Sequence, residues 1–380
     1  MTNRERLLTV IRGEIPDCVP VAPDFSNMIP AKLTGKPFWD LYLYNDPPVW
    51  EAYIDCAKHF DIDSLMDGYF PYNPVPPQWQ GPPWERFIVD RTPEQLVTQA
   101  SYVDNGKRVW APTVDYYRID DPPITGVDPA RLELPAVPSR FEPLEGVKPV
   151  DTGPEGLRRI KSLMGDQGLV GTFLTFSCVF SNEDDLFRYV DDPGPFLELA
   201  ERRVTDVEER FRQIMAQDVK PDFLCVGASG TLIWQTVEMF RELAFPAVKR
   251  GIELATAAGI PTHVHSCGPE KNLVKIMAEE TDLTVIDPLE CPPMGDCDLA
   301  ELKRLYGDRI VLKGNLHTTE VMLKATPEGV AKAAREAIDA AAHGGRFILS
   351  TGDQCGRDTP PENLRALVET ARTYGRYDRR

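Results

Sequence analysis

Eight short runs rich in β-branched and apolar residues punctuate this chain: Val19 to Asp24, Asp63 to Asp67, Leu169 to Phe176, Asp222 to Gly227, Ile260 to Ser266, Leu283 to Asp287, Arg309 to Gly314 and Arg346 to Thr351. A helical pattern follows each of the later ones, which is the signature of parallel βα units rather than of a sandwich. Eight is the number of strands that closes a (β/α)8 (TIM) barrel, so the predicted fold class is α/β, a single barrel domain over residues 1–380.

The helical segments carry their own signals. Between Phe196 and Gln217, the residues Val204, Val207, Phe211 and Ile214 recur at helical spacing and form one apolar stripe. Thr326-Pro327 opens a helix that ends before Gly344, and Thr359-Pro360-Pro361-Glu362 opens the last one, with Thr359 as its expected cap. A minimal barrel does not account for the roughly one hundred residues between the second and third runs, far beyond an ordinary connection. An insertion is therefore expected at about 68–165. Gln95 to Asp104 and Lys107 to Arg118 flank Asn105-Gly106, the dipeptide a two-residue turn prefers, and predict an inserted β-hairpin. An aromatic-rich segment precedes it, with Trp39, Tyr42, Tyr44, Trp50, Tyr53, Tyr69, Phe70, Tyr72, Trp79 and Trp84. Such rings either bury themselves in irregular coil or wall a pocket for a flat apolar substrate. Tyr69, Phe70 and Tyr72, just past the second run, are the best placed for the second role.

Charge narrows the partners. Lys+Arg 42 against Asp+Glu 59 leaves a net charge of -17, a surface that repels nucleic acid and anionic lipid and argues against both. The N-terminus begins as a charged helix rather than a signal peptide, and no run of eighteen apolar residues occurs, so a soluble cytoplasmic protein is expected, compatible with a homo-oligomer. Eight irregularly spaced cysteines in a chain this long suggest reduced thiols rather than a disulfide scaffold.

Barrel enzymes work at the C-terminal ends of their strands. His265 and Cys267 lie at that end of the fifth run and differ by two in sequence, so an extended backbone points them the same way. Cys355 lies in Gly352-Asp353-Gln354-Cys355-Gly356 after the eighth run. An imidazole and two thiolates suit zinc better than magnesium or calcium, and three protein ligands leave a position open for chemistry. Glu290, after the sixth run, is the expected fourth ligand. Cys291 and Cys297 lie nearby as ligands or structural residues. His263 shares the parity of His265 and lines the interior below it or fills a polar layer. His317 and Asp287 are the acid–base candidates. Asp24, Asn27 and Asn315, in loops after the first and seventh runs, are candidate substrate contacts with Tyr69, Phe70 and Tyr72.

The opening Asn3-Arg4-Glu5-Arg6-Leu7-Leu8 with Gly13 and Val19-Pro20-Val21, the run His265-Ser266-Cys267-Gly268, Lys313-Gly314-Asn315-Leu316, Thr326-Pro327-Glu328, and the ending Asp358-Thr359-Pro360-Pro361-Glu362-Asn363-Leu364 with Tyr374-Gly375 resemble the uroporphyrinogen decarboxylase-like superfamily across nearly the whole chain. The resemblance implies one (β/α)8 barrel and either of two activities: decarboxylation without a metal, or zinc-dependent methyl transfer with corrinoid proteins. The His-x-Cys pair with a late Cys is similar to the zinc signature of the methyltransferases, which implies His265, Cys267 and Cys355 as ligands. A Glu ligand in the more distant cobalamin-independent methionine synthases implies Glu290. The decarboxylases carry an Arg-Gln-Ala-Gly-Arg segment after the first strand, whereas this chain has Pro23-Asp24-Phe25-Ser26-Asn27-Met28, with no arginine to clamp a polycarboxylate. The expected function is therefore zinc-dependent transfer of a methyl group from a methoxylated aromatic compound to a corrinoid. No cobalamin-binding His motif is present, so the corrinoid is expected on a partner protein. The alternatives are transfer from a methylcorrinoid to a thiol, a uroporphyrinogen-type decarboxylase, and a non-catalytic zinc-binding subunit.

Overall fold

Prolines decide how the barrel closes. The computed structural model describes residues 1–76, 81–180 and 182–379, so Trp79 lies outside the described residues. In chain order the strands are β1 (Ser64–Met66), β2 (Glu85–Arg91), β3 (Gln95–Asp104), β4 (Lys107–Arg118), β5 (Ile124–Val127), β6 (Glu142–Pro143), β7 (Gly168–Phe173), β8 (Phe223–Gly227), β9 (Thr262–His265), β10 (Val285–Asp287), β11 (Val311–Leu316) and β12 (Phe347–Thr351). Seven form a parallel sheet in the order β1-β7-β8-β9-β10-β11-β12. The first apolar run, Val19 to Asp24, is not a ladder strand. Pro20 and Pro23 have no N–H to donate, so a regular ladder cannot form. Instead Val21 bridges Leu349 in parallel. Ala22 N donates to Leu349 O at 2.8 Å, Leu349 N to Pro20 O at 2.9 Å, and Asp63 N to Val21 O at 2.9 Å. This segment joins the two edges of the sheet and supplies the eighth position of a TIM-barrel-like α/β fold.

Two compact units divide the chain: Met1–Phe25, Ala57–Val75 and Thr152–Arg380 form one, and Ser26–Cys56 with Pro76–Asp151 form the other. The first holds the barrel. Leu7, Val10 and Ile11 of the helix Asn3–Ile11 pack with Leu65, Leu169, Phe223, Val285, Val311 and Ile348, residues at or near the N-terminal ends of their strands. That end is plugged by apolar side chains, which leaves the C-terminal end for chemistry. The long helix Gly194–Met215 buries Val207 and Ile214 of the expected stripe and half-buries Val204 and Phe211. Thr326 caps Pro327–Ala341 by accepting from Gly329 N, as its sequence predicts. Thr359 does not cap the last helix: Pro361–Thr373 has Pro360 at its N-cap without a side-chain hydrogen bond, and Thr359 is buried.

The second unit is an antiparallel sheet in the order β5-β4-β3-β2-β6. The predicted hairpin is its centre, β3 against β4, turning where Asn105 (φ 47°) and Gly106 (φ 78°) both take the left-handed conformation a tight turn requires. Trp39, Tyr42 and Tyr44 pack on a cluster of Leu43, Ile88, Leu96 and Tyr117, and Trp50 and Tyr53 are buried, so these rings serve as core. Among the described residues no helix is long and apolar enough to cross a membrane.

Barrel closure also rests on a buried charge. The fully buried Asp63 carboxylate accepts from Arg6 Nη1 at 2.6 Å, from Arg372 Nη1 at 2.7 Å and from Val21 N at 2.7 Å, tying the first helix, the last helix and the closing segment together. Removing one member of a buried ion pair costs about 3–5 kcal/mol because the partner's charge is stranded. Asp63→Ala is expected to lower stability by about that much in urea denaturation, and a loss under about 1 kcal/mol would show that the closure does not depend on it.

Candidate metal centre

Parallel register brings the polar side chains of neighbouring strands together. His265 pairs with Asp287 and Cys225 with His263, so residues from β8, β9 and β10 face one interior. The Asp287 carboxylate, 1% exposed, is their hub. Its Oδ1 accepts from His263 Nε2 at 2.8 Å and from His265 Nδ1 at 3.2 Å, and its Oδ2 is held by Lys313 Nζ from β11. Burial alone would raise the Asp287 pKa, but Lys313 and the two imidazoles hold it well below the usual carboxylate range. His263 also reaches Asp67 Oδ2 through Nδ1 at 3.0 Å. Burial disfavours its protonation, yet two flanking carboxylates overcome that and raise its pKa, and its two ring nitrogens lie within hydrogen-bond distance of Asp67 and Asp287. Cys225 Sγ lies 3.8 Å from Asp67 Oδ2 and 4.0 Å from His263 Nδ1, and the ligand atoms of these three lie within 4.8 Å of one another.

His265 is placed differently. With Nδ1 donating to Asp287, its Nε2 is the free nitrogen of the ring, and that buried atom has no hydrogen-bond partner among the described residues. It faces Cys267 and Asp353, and the three ligand atoms lie within 4.8 Å of one another. Burial lowers the proton affinity of this imidazole, but Asp287 and Asp353 more than reverse the effect. The same negative field favours a divalent cation, which competes with the proton for Nε2. A carboxylate behind a histidine, fixing its tautomer and orientation, is the usual support of a metal-ligating imidazole. The donor set, nitrogen, sulfur and carboxylate oxygen, fits zinc.

The other expected ligands are placed elsewhere. Cys355 is fully buried and stands outside the group, with the Thr351 and Thr359 side chains against its thiol and burial pushing its pKa up to about 12. The loop turns at Asp353, a non-glycine residue at φ 103°, and the Asp353 carboxylate lies beside His265 and Cys267. Glu290 is also outside the group. Its Oε2 accepts from Gly268 N at 2.5 Å, supporting the backbone next to Cys267. His317 Nδ1 accepts from Thr319 N and Glu320 N, capping the π-helical turn Thr318–Leu323. Asn315 Nδ2 donates to Leu289 O at 2.8 Å, and Asn315 and His317 border a cavity of about 540 Å³ that also reaches Cys291 and Cys297.

A smaller cavity of about 170 Å³ opens directly beside His265, with Asp24, Asp67, Tyr69, Phe173 and Gln354 in its wall. Tyr69 donates to Asp24 Oδ1 at 3.3 Å. Phe173 stacks on the exposed Phe176 at 4.9 Å and 20°. Phe70 and Tyr72 are buried at 4% and 3% exposure and belong to the core, because the backbone beyond Tyr69 turns them inward. Asn27 lies in the second unit, before the helix Met28–Leu33.

Sequence reasoning missed Asp353, Asp67, Cys225 and Lys313. It also missed Glu270, fully buried, whose Oε2 accepts from Leu289 N at 2.9 Å and whose carboxyl is pushed well up by burial. Lys313 and Asp67 had a legible signal: a charged residue within or just after an apolar strand needs a buried partner.

Residues 225–374 match the Uroporphyrinogen decarboxylase (URO-D) family. A uroporphyrinogen decarboxylase from Azoarcus is 35% identical over 21% of this chain and 22% of its own length. The methylcobamide:CoM methyltransferase MtbA from Methanosarcina mazei is 28% identical over 36% of this chain and 37% of its own length. The chain thus spans well under half the length of these curated relatives. In structure it is similar to a methyltransferase from Methanosarcina mazei, with a TM-score of 0.57 and 15% identity, covering 98% of this chain and 99% of that one, a likeness of fold.

Losing the hub should uncouple the histidines. Asp287→Asn keeps the shape but removes the charge that Lys313 and both imidazoles share. Loss of such a supporting carboxylate is expected to weaken zinc binding about 10–100-fold, read by competition with a chromophoric chelator. Unchanged zinc affinity would show that Asp287 does not support the site.

Proposed function

We propose that this chain, which belongs to the uroporphyrinogen decarboxylase-like superfamily, is a zinc-dependent methyltransferase that moves a methyl group from a methoxylated aromatic compound to the corrinoid of a partner protein. The observation that carries the reading is the buried Nε2 of His265, which has no hydrogen-bond partner among the described residues, on a ring held through Nδ1 by Asp287 and grouped with Cys267 and Asp353 at the C-terminal end of the barrel beside a small cavity. His265 and Cys267 would hold the metal, with a third donor from the loop 352–356. A bound zinc ion supplies Lewis acidity that stabilises negative charge developing on the leaving oxygen.

The residues of the chain do the rest. Asp287 sets the His265 tautomer, and Glu290 fixes the Gly268 backbone beside Cys267. Phe173, backed by Phe176, offers a flat apolar wall for an aromatic ring, and the Tyr69 hydroxyl, paired with Asp24, is a protic group in the same wall. The cavity, about 170 Å³ and bordered by Asp24 and Asp67, is too small to enclose a tetrapyrrole and repels a polycarboxylate. Both features speak against the decarboxylase alternative.

A second reading, transfer from a methylcorrinoid to a thiol, is favoured by the similarity to the methylcobamide:CoM methyltransferase. The two readings part in a single assay. Zinc-loaded protein mixed with a reduced corrinoid protein and a panel of methoxybenzenes is expected to form the methylcobalt absorbance, and its absence with every donor would remove the proposal. Thiol-dependent loss of methylcobalamin absorbance without any ether demethylation would install the second reading instead.

A further inference from the structure

We propose that the cavity beside His265 selects its methyl donor by charge: among single methoxylated rings of the same shape it prefers one carrying an ammonium group, accepts an uncharged one and rejects one carrying a carboxylate. The inference rests on the aryl-ether reading above and names the substrate class of that site. The cavity, about 170 Å³, lies below the range of about 300–1,000 Å³ usual for drug-sized ligands, so it has room for one ring and its substituents.

Two carboxylates, Asp24 and Asp67, stand in its wall, and among the described residues no lysine or arginine does. Both acids are fixed by their surroundings. Asp24 N donates to Thr351 Oγ1 at 3.0 Å and Asp24 O accepts from Cys355 N at 2.7 Å, which holds this residue against the loop after β12. Its Oδ1 accepts from the Tyr69 hydroxyl at 3.3 Å, and a neutral hydroxyl removes no charge. Burial opposes ionisation of Asp67, but the His263 imidazole against its Oδ2 outweighs burial and brings its pKa below the ordinary carboxylate value. The cations nearby are engaged elsewhere. Lys313 Nζ is held by Asp287 and the residue is 6% exposed, while His263 is shared between Asp67 and Asp287. Zinc would not reverse the balance, since its charge is offset by the Cys267 thiolate and an anionic donor from the loop 352–356, whether carboxylate or thiolate. A carboxylate entering the cavity therefore meets like charge and finds no guanidinium or ammonium in the wall to replace the water it gives up. An ammonium gains the carboxylates, and the Tyr69 and Phe173 rings of the same wall offer cation–π attraction.

Three 2-methoxyphenols of matched reach test this, with an aminoethyl, an ethyl or a carboxymethyl group para to the hydroxyl. Calorimetric titration of zinc-loaded protein is expected to give dissociation constants that rise in that order, the first and last at least about tenfold apart. Asp24→Asn and Asp67→Asn are each expected to narrow that ratio by about threefold or more and to change the affinity for the ethyl compound least. Comparing three ligands on one protein separates lost charge from damaged folding. A carboxymethyl compound bound as tightly as the aminoethyl one, or a ratio unchanged in both variants, would overturn the inference. Turnover is read separately, with free cob(I)alamin as methyl acceptor. The expected order of binding without methylcobalt from any of the three would remove the aryl-ether reading, whereas methylcobalt formed equally well from all three would remove the charge selection and leave that reading in place.

Discussion

A single carboxylate, buried at the end of β10, holds the polar interior of the barrel together. Asp287 is surrounded by Lys313, His263 and His265, and none of the four could stay charged there alone, since an unpaired ion in a protein interior costs several kcal/mol. Their positions follow from strand register: in a parallel sheet, residues side by side on adjacent strands point the same way, so β9, β10 and β11 each deliver a group to the same layer. Asp67 extends the layer through the other nitrogen of His263. The result is a charge network in which one histidine is doubly committed and the other keeps a nitrogen free. That asymmetry, not the presence of two histidines, is what sets His265 apart as the candidate ligand of the proposed metal centre.

The network faces the C-terminal end because the opposite end is filled. The first helix places Leu7, Val10 and Ile11 among the lower residues of the strands, and Asp63 locks that helix to the closing segment and the last helix through Arg6 and Arg372. Polar side chains cannot be accommodated in that apolar plug without losing their hydrogen bonds, so they collect above it, where a cavity borders His265. The apolar plug and the polar layer are thus segregated along the barrel axis.

Much of this was legible from residue order. Seven of the eight apolar runs became barrel strands with boundaries shifted by a few residues, and Asn105-Gly106 marked the hairpin turn. The eighth run, Val19 to Asp24, was placed correctly but not as a ladder, since its prolines remove the donors a ladder needs. The aromatic segment divided: Trp39, Tyr42 and Tyr44 became core, as irregular coil tends to arrange, and Tyr69 alone of the three expected wall residues borders the cavity. At the site, the parity of His265 and Cys267 was enough to bring them together, because two residues apart on an extended backbone is a local fact. The side chain that the last loop brings to them was not local. Asp353 and Cys355 are two residues apart in one glycine-flanked loop, and sequence alone does not show that the Asp353 carboxylate lies beside His265 and Cys267.

The parallel barrel, the hairpin and the strand end on which an imidazole and a thiol meet are written in residue order, because apolar periodicity, turn chemistry and side-chain parity act over a few neighbouring residues. Which carboxylate backs His265, which member of the final loop approaches it, and which rings line the cavity emerge from the folded arrangement. Those choices depend on strand register and on a backbone turn at positive φ, and both are set by the packing of segments far apart in the chain.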